Sequence, residues 1–260
     1  MHIQLFFTPA DLRAVTTSPD DIYIVVDVLR ATTTLSVIFE RGASRVFVAN
    51  DIEQAREAAR RYPHRILCGE RNLQPLPGFV FRNSPMQLSQ ADLSGHELIF
   101  ATTNGTQAFY ACPAESMCLA GSFYNARAVA AYALTQVYEQ KRNISLVCSG
   151  KLNAFALDDA ICAGYLIGVL QELFPPYRDQ NPAMSPTEVL TLEEAAATAL
   201  TLYAAYKPPK IIDHSDAARH LINMGFLDDV SFCMQHDKCT SVPIAIGKEE
   251  GTDLYMLQKA

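Results

Sequence analysis

The stretch IYIVVDVLRATTT, Ile22 to Thr34, decides the fold. Its first five residues are apolar without interruption, the pattern of a strand buried on both faces of a sheet. A short polar turn follows at once, and a helix is predicted over 33–41. A buried strand that passes directly into a helix is one step of an alternating β/α chain. The same grammar recurs downstream. Strands are predicted at 45–48, 65–68, 97–101 and 144–148, with helices at 52–61, 106–111, 126–140 and 156–173. Alternation of this kind predicts a three-layer α/β/α fold around a largely parallel or mixed sheet.

The chain shows no internal repeat and no low-complexity tract. The best break is 174–186, which holds four prolines. Beyond it an Ala-rich helix is predicted over 187–206 and another over 215–224, with Gly225 as its C-cap. The apolar runs at 230–233 and 242–246 read as a continuation of the same core. The expectation is one domain over 1–260, with two closely packed lobes divided near 174–186 as the alternative.

Composition narrows the function. Among 260 residues, 49% are hydrophobic and 19% charged, an ordinary globular balance. The formal net charge of −7 disfavours attraction to nucleic acid or anionic lipid. No apolar run is long enough for a membrane span or a signal peptide. Seven scattered cysteines without a CxxC pair fit a reducing, cytoplasmic setting, and the six histidines show no zinc-site spacing. Nothing fixes the oligomeric state, and a homo-oligomer is compatible with the chain.

Four predicted strands end in compact polar clusters just before a helix. In open α/β sheets, ligands bind at such carboxyl ends, where helix N-termini offer unpaired N–H groups to anions. The first cluster carries Asp27, Arg30 and Thr32: a carboxylate suited to a hard cation and a guanidinium suited to phosphate. In isolation, a paired Asp27 and Arg30 beside a capping threonine would explain it too. The second carries Glu70 and Arg71, then Asn83, Ser84 and Pro85, which also read as a solvated charge pair and a helix cap. The third, TTNGT, holds Thr103, Asn104, Gly105 and Thr106. It can cradle an oxyanion or simply make an Asn-Gly turn, and it lacks a P-loop lysine. In the fourth, Ser149 and Gly150 leave a strand, and Asp158 and Asp159 open the next helix. Acidic residues there complement the helix dipole or ligate a metal.

Taken in order, DVLRATTT, GER with its following GF and NSP, TTNGT, the CSG-to-DDAICAG block and GFLDDVSFC resemble the 2-phosphosulfolactate phosphatase (ComB) family. The resemblance runs from about Asp27 to Cys233. It implies a three-layered α/β fold and Mg²⁺-dependent hydrolysis of 2-phosphosulfolactate to 3-sulfolactate and phosphate, a step towards coenzyme M. Arg82 stands where the family usually has glycine, and Asn72, Pro75 and Pro77 occupy a loop that is commonly glycine-rich there. The family's usual Glu-Asp pair is here Asp158-Asp159.

Rival phosphatase chemistries lack their residues. Val28 and Leu29 follow Asp27, so the two-aspartate haloacid dehalogenase motif is missing. Cys148 leads no thiolate loop closing on arginine, and no GxSxG elbow occurs. Metal-assisted attack by water remains, with a phospho-aspartate at Asp27 as the alternative. The expected Mg²⁺ ligands are Asp27, Glu70 and Asp159, directly or through water, and two of the three suffice. Arg30 and Arg71 are expected to bind the anionic groups. Thr32, Asn83, Ser84, Thr103, Asn104, Gly105, Thr106, Ser149 and Gly150 are expected to orient a small anionic substrate. Two other readings stay open: a phosphatase for another small phosphorylated hydroxy acid, and an anion-binding protein without catalysis.

Overall fold

The computed structural model describes residues 1–74, 76–102, 105–140, 142–181, 184–185 and 187–260, without the side chains of 138–140. The predicted three-layer fold is present: one ten-stranded mixed sheet with helices on both faces. The strands are β1 (His2–Phe6), β2 (Ile22–Val26), β3 (Arg45–Val48), β4 (Ile66–Gly69), β5 (Glu97–Ala101), β6 (Met117–Gly121), β7 (Ile144–Cys148), β8 (Thr191–Leu192), β9 (Pro243–Lys248) and β10 (Tyr255–Lys259). The helices are α1 (Pro9–Arg13), α2 (Ala31–Glu40), α3 (Ile52–Arg61), α4 (Pro85–Leu88), α5 (Gly105–Ala111), α6 (Ala126–Gln140), α7 (Leu157–Gln180), α8 (Glu194–Ala205), α9 (Ile211–His214), α10 (Asp216–Asn223) and α11 (Leu227–Cys233).

Strand β2 shows why the sheet is buried on both sides. Ile22, Ile24 and Val26 pack into one core with Val129, Ile161 and Leu166 of α6 and α7. Tyr23 and Val25, pointing the other way, join Leu35 and Ile38 of α2. A polar residue at any of these positions would be stranded under a helix. The next crossover helix is set locally. Asp51 caps α3 by accepting from Gln54 N, and Ile52, Ala55 and Ala58 then face Phe47 and Ile99 of the sheet.

The strand order is β4-β5-β3-β10-β9-β6-β2-β7-β1-β8. Two parallel blocks, β4-β5-β3 and β6-β2-β7-β1-β8, flank β9 and β10, each of which is antiparallel to both of its neighbours. The order is symmetric about the β9/β10 pair, for β3, β5 and β4 on one side answer β6, β2 and β7 on the other. In chain order this is β2-α2-β3-α3-β4 followed by β5-α5-β6-α6-β7, two copies of one unit that have exchanged their first strands. Thus β3 pairs with β5, and β6 with β2. The correspondence lies in strand order and turn geometry and not in the sequence, which shows no repeat. Ala31 and Gly105, each the first residue of its helix, meet across the centre, and a Cβ on Gly105 would lie 2.4 Å from that of Ala31.

Two blocks that run in opposite senses would ordinarily send their carboxyl ends to opposite edges. Adjacent strands rotate by roughly 20–25°, so the five steps from β2 to β5 add up to roughly 100–125°. That rotation, with the meeting of α2 and α5, brings the ends of β2, β4, β5 and β7 to one cleft.

Other expectations are corrected. Helix α7 runs through Pro175 and Pro176 to Gln180, so the chain does not break at 174. The carbonyls that lose their donors belong to Gln171 and Glu172, exposed residues that water can reach, while buried Phe174 anchors the turn. The helix predicted from 187 begins only at Glu194, because Thr191 and Leu192 pair with His2 and Ile3 as an edge strand.

Candidate active site

The cleft at the carboxyl ends of β2, β4, β5 and β7 is a cavity of about 350 Å³. Asp27, Arg30, Glu70, Asn83, Thr102, Gly105, Gly150, Asp158 and Asp159 line it, with Leu73, Lys151 and His220 nearer its rim. The sequence predicted most of the inner wall. How each residue is held separates roles that a sequence cannot.

Asp27 follows the last residue of β2. Its Oδ1 accepts from Ala31 N at 3.2 Å, so the carboxylate sits over the first turn of α2. Thr32 fixes the turn: its Oγ1 donates to the Asp27 carbonyl (2.9 Å) and accepts from Asp27 N (3.1 Å). Thr32 is fully buried and shapes the loop without lining the cavity. A side chain at position 105 would reach within 2.5 Å of Asp27 Oδ2, so glycine is required for the carboxylate to occupy this place.

Arg30 lies under the cavity at 2% exposure. Its Nη1 donates to Asp229 Oδ2 at 2.6 Å and its guanidinium stacks on Phe226 at 4.7 Å. Among the described residues its other N–H groups have no acceptor. Asp229 holds more than this partner, because its Oδ1 accepts from Ser84 Oγ (2.6 Å) and Met86 N (3.1 Å). Ser84 therefore acts as N-cap of α4 and as a brace for Asp229, behind the cavity wall.

Asp159 lines the cavity and is held there by two backbone donors. Its Oδ1 accepts from Val28 N (2.9 Å) and its Oδ2 from Gly150 N (3.0 Å). The two bonds pin the loops after β2 and β7 to α7. Its neighbour Asp158 has Oδ1 bonded to Ser215 Oγ at 3.0 Å and also faces the cavity. Glu70 Oε2 accepts from Leu73 N (2.6 Å), closing the turn after β4. Arg71 is not brought into the cavity. It is exposed, its nearest carboxylate being Glu53 at 3.9 Å on the outer surface. Gly150 lines the cavity, and Thr106 is buried with Oγ1 towards the Thr102 carbonyl. Thr103 and Asn104 lie outside the described residues.

The electrostatics are unbalanced. Burial, followed by the neighbouring charges of Asp158 and Glu70, pushes the Asp27 carboxyl up to about 7. Burial raises Asp158, and burial with the charges of Asp158 and Asp27 raises Asp159 well above the usual range. Four carboxyls thus share one cavity with one buried guanidinium already paired to a fifth. Among the described residues, the buried oxygens Asn83 Oδ1, Thr102 Oγ1 and Ser149 Oγ also have no hydrogen-bond partner. Unsatisfied oxygen atoms beside crowded carboxylates are the donor set of a hard cation, and they fit Mg²⁺. Among the described residues no three His, Cys, Asp or Glu side chains converge closely enough to hold one ion. Two carboxylates supplemented by water are what the geometry allows.

Several residues of this site were not anticipated. Asp229 sat in the quoted GFLDDVSFC motif, whose polar pair within an apolar run was the available signal. Lys151 and His220 carried none.

The comparisons agree with the geometry. A family model described as 2-phosphosulpholactate phosphatase matches residues 6–248. A Parasynechococcus marenigrum protein is 35% identical over 247 residues, covering 94% of this chain and 96% of that one. A Thermotoga maritima protein is 32% identical over 225 residues (86% and 88%). A Carboxydothermus hydrogenoformans protein is 30% identical over 243 residues (94% and 92%). All three carry the name "Probable 2-phosphosulfolactate phosphatase".

Proposed function

Since the chain belongs to the 2-phosphosulpholactate phosphatase family, a family of phosphoric monoester hydrolases, we propose that its cleft hydrolyses 2-phosphosulfolactate to 3-sulfolactate and phosphate with Mg²⁺. The observation that carries this reading is the crowding of Asp27, Glu70, Asp158 and Asp159 around a cavity floored by Arg30. A phosphate ester is repelled by those carboxylates unless a cation stands between them, and it is attracted by a guanidinium with free N–H groups.

Asp27 and Glu70 would hold Mg²⁺, with water completing its shell. When bound, the ion supplies Lewis-acid stabilisation of charge on the phosphoryl oxygens. Arg30 binds the phosphoryl group from below with the N–H groups not used by Asp229, and Asp229 keeps the guanidinium fixed in orientation. The N-terminus of α2 adds a partial positive charge at the same place. Water attacks phosphorus in line, and the P–O bond to the hydroxy-acid carbon skeleton breaks. Asp158, raised by burial and facing the cavity, hands a proton to the leaving oxygen and is restored by the proton that the attacking water gives up. Asp159 is a positioning residue: it aligns the loop of Asp27 with the loop of Gly150. Phosphoryl transfer depends mostly on positioning and charge, which this arrangement supplies.

The test is phosphate release from 2-phosphosulfolactate, with Mg²⁺ and with EDTA, beside 2-phospholactate and phosphoglycolate. Release that EDTA abolishes, fastest from the sulfonate, is expected. Release from a sulfur-free ester alone would sink the substrate, and release undiminished by EDTA would sink the metal. A phosphoenzyme trapped on Asp27 would replace direct attack by water.

A further inference from the structure

The two structural repeats end in matching turns. After β4, residues 71–74 close on themselves through Arg71 and Gln74, with Asn72 and Leu73 at φ 52° and 62°. After β7, residues 151–154 do the same through Lys151 and Ala154, with Leu152 and Asn153 at φ 51° and 63°. Both have the two consecutive positive φ values of a type I′ turn. Each opens with a cation, Arg71 in one and Lys151 in the other. Together the turns form opposed jaws over the cleft, for Asn72 and Leu73 line it from one side and Lys151 and Leu152 from the other.

The symmetry breaks at the cations. Arg71 faces outward to Glu53, whereas Lys151 lines the cavity. Among the described residues the Lys151 ammonium has no hydrogen-bonded or ion-paired partner, and its charge acts on Asp158. A symmetric frame has become polar, with a cation at one rim only. Such a site suits a ligand that is itself unsymmetrical, with one anionic group at the floor and a second at the rim.

We propose that Lys151 is a specificity-determining residue that binds the sulfonate of the substrate while Arg30 holds the phosphoryl group. This rests on the reaction proposed above and names the partner of one substrate group. An ammonium is a compact charge with three donors that rotate about the stem, a match for the three equivalent oxygens of a sulfonate. A planar carboxylate would instead favour the fork of an arginine. Leaving the jaw exposed lets Lys151 engage a group that enters after the phosphate.

The test uses full-length protein with Mg²⁺ and two probes, 3-sulfolactate and lactate, which differ by the sulfonate. Lys151→Met keeps the stem and removes the charge, and the exposed position keeps the fold out of question. Calorimetry is expected to show 3-sulfolactate binding weakened by about tenfold or more, the scale of one charge-assisted contact, with lactate changed far less. Lys151→Arg should recover most of the loss. In turnover, the KM for 2-phosphosulfolactate should rise more than that for 2-phospholactate. Equal losses for both probes, or wild-type affinity for 3-sulfolactate in Lys151→Met, would overturn the proposal. If Lys151 governs 3-sulfolactate binding but no ester releases phosphate, the reaction falls and the Lys151 assignment stands. If phosphate is released and Lys151→Met retains the wild-type KM, the Lys151 assignment falls alone.

Discussion

Replacing Asp27 by asparagine should destroy activity and stabilise the metal-free protein. In the fold, burial and the charges of Asp158 and Glu70 push the Asp27 carboxyl from 3.8 to about 7. The folded state therefore holds this proton more tightly than the unfolded chain does. Between about pH 4 and 7 the unfolded chain has lost the proton and the fold has not, so stability falls as pH rises through that window and levels off above it. At about 1.4 kcal/mol for each factor of ten in proton affinity, the full penalty above pH 7 is about 4 kcal/mol. Neighbouring carboxyls share it, so about 2 kcal/mol is the fairer figure for removing Asp27 alone. For a chain of this size, that is a rise in Tm of roughly 4–8 °C. The amide oxygen introduced by Asp27→Asn still accepts the bond from Ala31 N, so the turn survives. The assay is thermal melting at pH 5.5 and pH 8 in EDTA, then with excess Mg²⁺. The wild type should lose stability between the two pH values in EDTA, and Asp27→Asn should lose less. Mg²⁺ should stabilise the wild type far more than the variant. A variant that melts lower than wild type at pH 8 in EDTA would refute the crowding argument, because it would mean that the ionised Asp27 helps to hold the fold together.

Further substitutions separate the other roles. Gly105→Ala would push a methyl within 2.5 Å of Asp27 Oδ2 and 2.4 Å of the Ala31 side chain, so kcat should fall at least as far as the fold is disturbed, read by phosphate release beside circular dichroism. Asp159→Asn can accept from only one of Val28 N and Gly150 N and should cost about 1–3 kcal/mol, measured by urea unfolding. Arg30→Met leaves Asp229 buried without its cation and should cost about 3–5 kcal/mol; the pair Arg30→Met with Asp229→Asn should recover stability in the same urea assay without recovering activity. Far from the cleft, Arg65 lies 3.5 Å over the Phe47 ring and bonds Glu97 and Glu249. The Arg65 bond holds the Glu249 carboxyl below its usual 4.5, so this stabilisation is present above that value and is lost as pH falls beneath it. Acid unfolding of Arg65→Met should show a shallower slope there.

Much of this was legible in the chain. Strands β2, β3, β5 and β7 fall on their predicted bounds because continuous Val, Ile and Leu runs admit little else. Asp27, Arg30, Glu70, Asn83, Gly105, Gly150 and Asp159 reach the cavity because each follows a strand end or opens a helix that serves one. The sequence could not separate Asp158 from Asp159, since adjacent helix residues differ only in which loops they meet. Nor could it separate Arg71 from Lys151, equivalent residues whose side chains take opposite directions. Pro175 and Pro176 misled because proline is read as a stop, whereas here the carbonyls it deprives face water. Asp229 belongs to a helix 199 residues along the chain from Arg30, and local pattern carries no such distance.

The exchange of strands between the two units has a consequence for how the chain is made. The centre of the sheet, β9 and β10, comes from the last elements in chain order, residues 243–259. On a ribosome, β3 and β6 emerge early and wait with one hydrogen-bonding edge open until those residues leave the exit tunnel. Neither unit can be completed alone, since each holds the other's first strand. Nascent chains stalled before residue 243 should therefore be sticky, chaperone-bound and sensitive to protease, and those long enough to free residues 243–259 from the tunnel should become resistant in a single step rather than unit by unit.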